Sequence, residues 1–377
     1  MVNRERITAE FLRQAAISSP SLKESAMANY LEQRFAELGA ETLFDGAAEK
    51  VGGEVGNLIA RLPGNKTGEP FLFSVHMDTV VPCDNVEPIL LDGVVRTAGD
   101  TILGADDKAG IAELIEAFEV VREENIEHVP IEVVVTIGEE IGLVGAKNLD
   151  FSLVRSRRGI ALDTPGVDWM VRRAPGANRF KVEITGKAAH AGVEPEQGVS
   201  AIQVAGHALS LMKVGRIDFE TTANIGTIEG GLATNIVAEK VVLTGEARSH
   251  AAGKLASQTE HMLACFEQAA DALSREIDGA QVRAVVECEV RPDFPSMLVP
   301  EGAEIVDLAQ RAATAIGRQM KDRLGGGGSD ANIFNEHGIE MVIVGTGMQN
   351  VHSTDEEVAV DDLVLVAEFL VEVIRVA

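Results

Sequence analysis

Four short runs that are apolar at nearly every position, Phe71-Leu-Phe-Ser-Val, Ile131 to Ile137, Gly159-Ile-Ala-Leu and Met341-Val-Ile-Val, constrain this chain more than any other feature. A strand with one wet face alternates apolar and polar side chains, because successive residues point to opposite faces. Runs that lack the alternation and are too short for helices are strands covered on both faces, as in a mostly parallel sheet wrapped by helices. Another short strand is expected at about Asn57 to Arg61, and helical patterns lie between the strands. Met27, Leu31, Phe35 and Leu38 share one face of a helix that Gly39 stops, and the spacing of Ser21 and Glu24 predicts a capping box ahead of it. Asp106 or Asp107 is positioned to cap a second helix whose buried stripe is Ile111, Leu114, Ile115 and Phe118. A nearly all-apolar helix runs from Leu363 to Ile374.

The pattern changes near Ala177. From Arg179 to about Val290 it reads strand, helix, strand, strand, helix, strand, with the strands at Phe180 to Thr185, Ala223 to Ile228, Ala238 to Ala247 and Val282 to Cys288. That β-α-β-β-α-β order is the ferredoxin-like arrangement, which folds as a small α+β domain. The chain has 377 residues, 46% of them hydrophobic, more than one compact core uses. The expected organisation is an α/β domain with a mostly parallel sheet and helices on both faces, built from residues 1–177 and 291–377. The ferredoxin-like domain, residues 178–290, is inserted within it.

Charge and motifs remove several classes of function. The 59 acidic residues outnumber the 33 basic ones, for a formal charge of -26, so nucleic acid and anionic membrane are repelled over most of the surface. The opening segment, MVNRERITAEFLRQ, lacks the apolar stretch of a secretory signal, and no run approaches the ~18 apolar residues that span a bilayer. A soluble, cytoplasmic protein is expected. Cys83, Cys265 and Cys288 are scattered, without the paired spacing of a disulfide framework or thiolate zinc site, and are read as reduced and structural. Gly64-Asn-Lys66-Thr67 lacks the upstream glycine of a phosphate-binding loop, and Val51-Gly-Gly-Glu-Val-Gly does not open a helix as the dinucleotide fingerprint requires. Nucleotide chemistry is not expected.

In open α/β sheets ligands bind at the carboxyl edge, where loops converge on one crevice. Five strand or strand-loop ends here carry residues of metal-ligand type. His76 closes the first apolar run, Asp106 follows Thr101-Ile-Leu-Gly, Glu139 and Glu140 follow the second run, Asp163 follows the third, and His352 lies just beyond the fourth. Any one of them alone is readily a cap, a solvated charge or a hydrogen-bonded structural residue. Their coincidence on one sheet edge is what points to metal: two imidazoles with several carboxylates form the nitrogen and oxygen set that suits zinc, cobalt or manganese. In His76-Met77-Asp78 the positions i and i+2 share a side, so Asp78 is placed to orient the imidazole. Adjacent Glu139 and Glu140 diverge, so that one ligates metal while the other serves as general base toward water; spacing does not say which.

The segments Ser74-Val-His-Met-Asp-Thr, Leu103-Gly-Ala-Asp-Asp-Lys-Ala-Gly-Ile-Ala, Gly138-Glu-Glu-Ile-Gly-Leu-Val-Gly-Ala and Asn350-Val-His-Ser resemble the dinuclear zinc peptidases. That family includes tripeptidase T, carboxypeptidase G, aminoacylase and succinyl-diaminopimelate desuccinylase, and the likeness, greatest to tripeptidase T, spans essentially the whole chain. The resemblance implies two divalent metal ions, with Asp106 bridging, His76 and Asp163 completing one site, and Glu140 and His352 the other. It implies Glu139 as the general base and Asp78 as the residue that orients His76. It makes the inserted domain a lid: Ala188-Ala-His190-Ala-Gly resembles the segment whose His binds the oxyanion, while Gly230-Gly-Leu-Ala-Thr-Asn235 and Gly245-Glu-Ala-Arg248 resemble segments that hold the substrate backbone and its carboxylate. Family position also puts Gly328 and Ser329, within Gly325-Gly-Gly-Gly-Ser-Asp330, beside the substrate. His128, His207, His250, His261 and His337 match no motif and are read as structural. The implied activity is hydrolysis of an amide bond in a short peptide, by a homodimer joined through the lid. The alternatives are an N-acyl amino acid amidohydrolase of the same fold and a catalytically silent peptide-binding or scaffold protein. Between Asp78 and Asp106 the chain is shorter than tripeptidase T, which weakens the expectation of a strict tripeptide length.

Overall fold

Every residue of the strands Phe71–His76 and Ile131–Thr136 is buried, so both faces of the sheet that holds them are covered. The computed structural model describes all 377 residues and divides into two compact units, one formed by Met1–Ala174 with Met297–Ala377 and the other by Pro175–Ser296. In the first unit the sheet order is Glu41–Phe44, Leu58–Leu62, Ile131–Thr136, Phe71–His76, Arg158–Thr164, Glu340–Gly345, Trp169–Ala174 and Met297–Leu298. The four central strands run parallel, and both flanks are antiparallel. Register pairs His76 with Thr136 and Ser74 with both Val134 and Ala161. The carboxyl ends of three neighbouring strands therefore open on one edge, and the loops after them start side by side.

The helix Ala105–Glu123 departs from the one-sided stripe expected of it. Residues from Ala105 to Val121 are all buried. Phe118 meets Phe73 of the sheet edge-to-face at 6.2 Å, while Ala109 and Ala112 join a separate cluster with Ile7 and Phe11 of the helix Arg4–Ala15 and Leu363 and Ala367 of Val360–Val376. A second layer of helix thus covers the outer face of the first, and each fully enclosed large apolar side chain contributes ~1.5–3 kcal/mol. Nor do Asp106 and Asp107 cap this helix: no side-chain cap bond is made, and both residues have non-helical dihedrals. The expected capping box fails in the same way. Glu24 itself precedes the helix Ser25–Glu37 and makes no cap bond, and the Ser21 hydroxyl donates instead to Asp78.

Several short strands escaped the hydrophobic pattern. Lys321–Leu324 is exposed throughout and pairs in parallel with Trp169–Ala174, and the hairpin Pro88–Leu91/Val94–Thr97 pairs with Val358–Ala359. Edge strands need no apolar run, because one side faces water.

In the second unit four long strands, Thr221–Gly230, Lys240–Ser249, Gly176–Thr185 and Val285–Phe294, are antiparallel in that order, with Gly215–Arg216 at one edge. The helices Ala201–Leu211 and Ala252–Ala272 pack their apolar sides on one face around Phe180, Val182, Leu243, Val204 and Phe266. Chain order and spatial order are those of a ferredoxin-like fold, with an added hairpin Arg275–Ile277/Ala280–Val282. This unit is slightly longer at both ends than residues 178–290, because its strands pair on past the apolar stretch, with Ala177 opposite Phe294. No helix of the chain is long and apolar enough to cross a membrane.

Candidate metal centre

His76 is the last residue of a fully buried strand, so its imidazole leaves the sheet with little freedom. Its Nδ1 lies 3.0 Å from the backbone carbonyl of Asp78 and 3.5 Å from that residue's carboxylate, and its backbone N–H donates to Asp107. These contacts aim Nε2 at Asp106, whose Oδ1 is 3.0 Å away. The other oxygen of Asp106 lies 3.3 Å from Nε2 of His352. His352 Nε2 is in turn 3.0 Å from Glu140 Oε2. One carboxylate therefore stands between two imidazoles, each oxygen facing a different ring. His76, Asp106 and Glu140 present ligand atoms that all lie within 4.8 Å of one another.

The backbone around these side chains is held by carboxylates that the spacing did not reveal. Glu356, fully buried, accepts from the N–H groups of Gly104 (2.7 Å) and Asp106 (3.0 Å), which fixes the turn that presents Asp106. Asp78 accepts from the N–H groups of Glu139 (2.9 Å) and Glu140 (3.2 Å) and from the Ser21 hydroxyl (2.6 Å). Asp78 was expected to orient His76; its carboxylate contacts the ring only at the longer distance, and its tighter bonds go to the Glu139–Glu140 loop. Buried Asp330 accepts from Thr136, the residue level with His76 in the neighbouring strand. No spacing rule marks Glu356 or Asp330, since their partners come from remote segments.

A cavity of about 230 Å³ is lined by Asp106, Glu139, Glu140, Asp163 and His352 together with Gly325 to Ser329. His76 meets Asp106, which lines the cavity, so the structure brings His76, Asp106, Glu139, Glu140, Asp163 and His352 to one place, with Gly328 and Ser329 in the same lining. Arg323 is the one Lys or Arg of the lining. Burial, with Asp106 nearby, pushes the Asp163 carboxyl up to about 8; burial, with Asp163 nearby, raises Glu139 well above its ordinary value; and burial raises Glu140 despite its bond to His352. His352 is pushed up to about 10 by its hydrogen bonds to Asp106 and Glu140. Burial opposes charge on Asp106 too, yet the two imidazoles hold its carboxyl below the usual range. This is the electrostatics of crowded carboxylates short of positive charge, which protons or divalent cations relieve. With two nitrogen and at least three oxygen donors, the set fits two such cations.

The remaining residues named from the sequence lie in the second unit. His190 and Ile236 form an isolated bridge, and Ala191 N–H donates to the Asn235 carbonyl, so His190 and Asn235 are neighbours on its surface. Arg248 makes two hydrogen bonds to Glu246 on the same side of its strand, at 3.0 and 3.1 Å, a partner that spacing did not suggest. The sheet face bearing Arg179, Lys181, Glu246, Glu289 and Arg291 encloses a larger concavity of about 720 Å³, which holds no cluster of ligand type. The three cysteines are free; Cys83 and Cys265 are buried, and Cys288 is exposed rather than part of the core.

Comparison with known proteins agrees in scope. The sequence profile of Peptidase family M20/M25/M40 matches residues 72–376. The uncharacterized protein YqjE of Bacillus subtilis is 44% identical over the full length of both chains. Among solved structures, aminopeptidase PepT from Bacillus cereus superposes with a TM-score of 0.92 at 41% identity, covering 100% of this chain and 99% of its own. A tripeptidase from Staphylococcus aureus gives 0.94 at 38% identity, covering 100% and 98%.

Proposed function

Because the chain belongs to Peptidase family M20/M25/M40, we propose that it is a dinuclear metallopeptidase that cleaves short peptides, in the manner of an aminopeptidase or tripeptidase. The observation that carries this reading is Asp106 standing between His76 and His352, with Glu140 on the second imidazole and Asp163 and Glu139 on the wall of the same cavity. His76, Asp106 and Asp163 would hold one cation and Asp106, Glu140 and His352 the other; zinc suits this set, and cobalt and manganese are also accepted. Bound there, divalent cations supply Lewis acidity that makes water acidic and polarises an amide carbonyl.

The chain's own residues do the rest. Glu139 lines the cavity without an imidazole partner, so its carboxylate is free to take a proton from water and return it to the leaving amine. Asp78 and Glu356 keep the loops that carry Glu139, Glu140 and Asp106 from rearranging as that proton moves. Gly328 and Ser329 let substrate backbone approach the cavity wall. His190, Asn235 and Arg248 of the second unit are assigned to the oxyanion, the substrate backbone and its free carboxylate, the last by charge-assisted hydrogen bonds. A homodimer joined through that unit completes the reading.

The test is a panel of tripeptides, dipeptides and N-acyl amino acids with metal-reconstituted protein, beside a metal count. Wild-type chain should carry about two divalent ions and release the amino-terminal residue from tripeptides, and Glu139→Gln should keep both ions while losing ~10²–10⁴-fold in kcat. Turnover of N-acyl amino acids alone would move the substrate class, and Glu139→Gln at the wild-type rate would end the assignment of the base.

A further inference from the structure

Glu24 is a carboxylate buried to zero exposure that the reaction above does not use. Its spacing from Ser21 suggested a helix cap, yet it caps nothing. Instead its Oε1 accepts from two N–H groups, that of Leu22 at 2.8 Å and that of Gly138 at 3.0 Å, while Oε2 is buried without a partner. Burying a carboxylate is costly, and a local turn alone would be served as well by a solvated side chain. The bond that distinguishes this arrangement is the long-range one, to the residue directly before Glu139.

Gly138 has a left-handed φ of 55°, and a Cβ there would lie 2.5 Å from Val144, so the loop is tight and admits few alternatives. Three consecutive N–H groups, those of Gly138, Glu139 and Glu140, all donate to buried carboxylates: the first to Glu24 and the next two to Asp78. Two of their carbonyls are also engaged, with Gly138 accepting from Val144 and Glu139 from Gly142 and Leu143. Ser21 ties the two carboxylates' segments together through its bond to Asp78, and Thr79 N–H donates to Ser19. The stretch from Ser19 to Glu24 therefore braces the loop from outside residues 72–376, the region the family profile matches.

We propose that Glu24 is a positioning residue for the peptidase reaction: by accepting the Gly138 amide it fixes the peptide planes from which Glu139 and Glu140 project, without touching substrate. The inference rests on the roles given to Glu139 and Glu140 above. Its mechanism needs an acceptor at Oε1 and not a charge, so glutamine replaces it and the shorter aspartate does not.

The experiment uses the full-length, metal-loaded chain with Glu24→Gln, Glu24→Asp and Glu24→Ala. Ile374→Ala, which removes a buried side chain from the terminal helix Val360–Val376, serves as a control for loss of stability by itself. Two readouts are taken: hydrogen exchange of the amides from Gly138 to Glu140, and kcat and KM on a tripeptide. Glu24→Asp and Glu24→Ala should exchange at least about tenfold faster there and lose about tenfold or more in kcat with KM changed less than about threefold and metal content kept, while Glu24→Gln and Ile374→Ala stay within about threefold of wild type on both. Unchanged exchange in Glu24→Asp, equal losses in Glu24→Gln, or the same losses in Ile374→Ala would each overturn the proposal. The exchange readout stands whether or not tripeptides are the substrate, so a failure of the functional reading is told apart from a failure of this one.

Discussion

The two oxygens of Asp106 face different imidazoles, and what makes this geometry stable is a neighbour with no chemistry of its own, Glu356, on the Asp106 backbone N–H. The same division recurs at Glu139, whose side chain is read as a base and whose amide belongs to Asp78. His76, Asp106, Glu139, Glu140, Asp163 and His352 were legible in the sequence because ligand chemistry narrows the residue types and strand ends narrow the positions. Glu24 and Glu356 were not, because a carboxylate that accepts a backbone amide is chemically indistinguishable in sequence from a solvated one. Glu24 also has a measurable signature. Burial pushes its carboxyl up from 4.5 to about 7, and Asp78 nearby adds to the rise. A carboxyl whose folded pKa is raised binds more protons in the native state, so its contribution to stability is fully present below about 4.5 and is lost as pH rises through about 7. At ~1.4 kcal/mol per unit the full effect is at most ~3.5 kcal/mol. Metal-free wild type should therefore lose stability relative to Glu24→Gln between pH 4.5 and 8; urea midpoints for both proteins that shift in parallel over that range would contradict it.

At the scale of elements, the parallel strands did the most to define the site. Phe71–His76 lies between Ile131–Thr136 and Arg158–Thr164, and its close pairing with Arg158–Thr164 depends on Gly159. A Cβ at Gly159 would stand 2.4 Å from the Leu72 carbonyl oxygen in the facing strand, a backbone atom that cannot turn aside. Gly159→Ala is expected to lower stability by ~1–3 kcal/mol, the usual range for overpacking, and to weaken metal binding because Asp163 lies on the same strand. Denaturant titration and a metal-binding isotherm on the same preparation check both; a variant as stable as wild type would show that the strands separate freely. The all-apolar runs gave these strands away, whereas Lys321–Leu324 passed unnoticed because an exposed edge strand carries no apolar constraint. The helix Ala105–Glu123 was found but misjudged: its stripe was read as one buried face, and two further helices bury the other.

Over the whole molecule, every residue assigned to metal belongs to the first unit, and His352 comes from the part of it that follows the insertion in the chain. Two divalent ions at about a hundred times their dissociation constants would stabilise the folded first unit by ~2.7 kcal/mol each. Chelation should accordingly lower hydrogen-exchange protection across Met1–Ala174 and Met297–Ala377 and leave Pro175–Ser296 unaffected; an equal loss in both units would place ligands in the second. The sequence by itself determined the fold class, the insertion and the identity of the chemical groups, because hydrophobic period and ligand chemistry are local properties of a chain. Only the tertiary structure decided which carboxylates hold backbone and which face the cavity. A hydrogen bond between Glu24 and Gly138, or between Glu356 and Asp106, joins segments whose separation in sequence carries no periodic signal, and it exists only once the sheet has set them side by side.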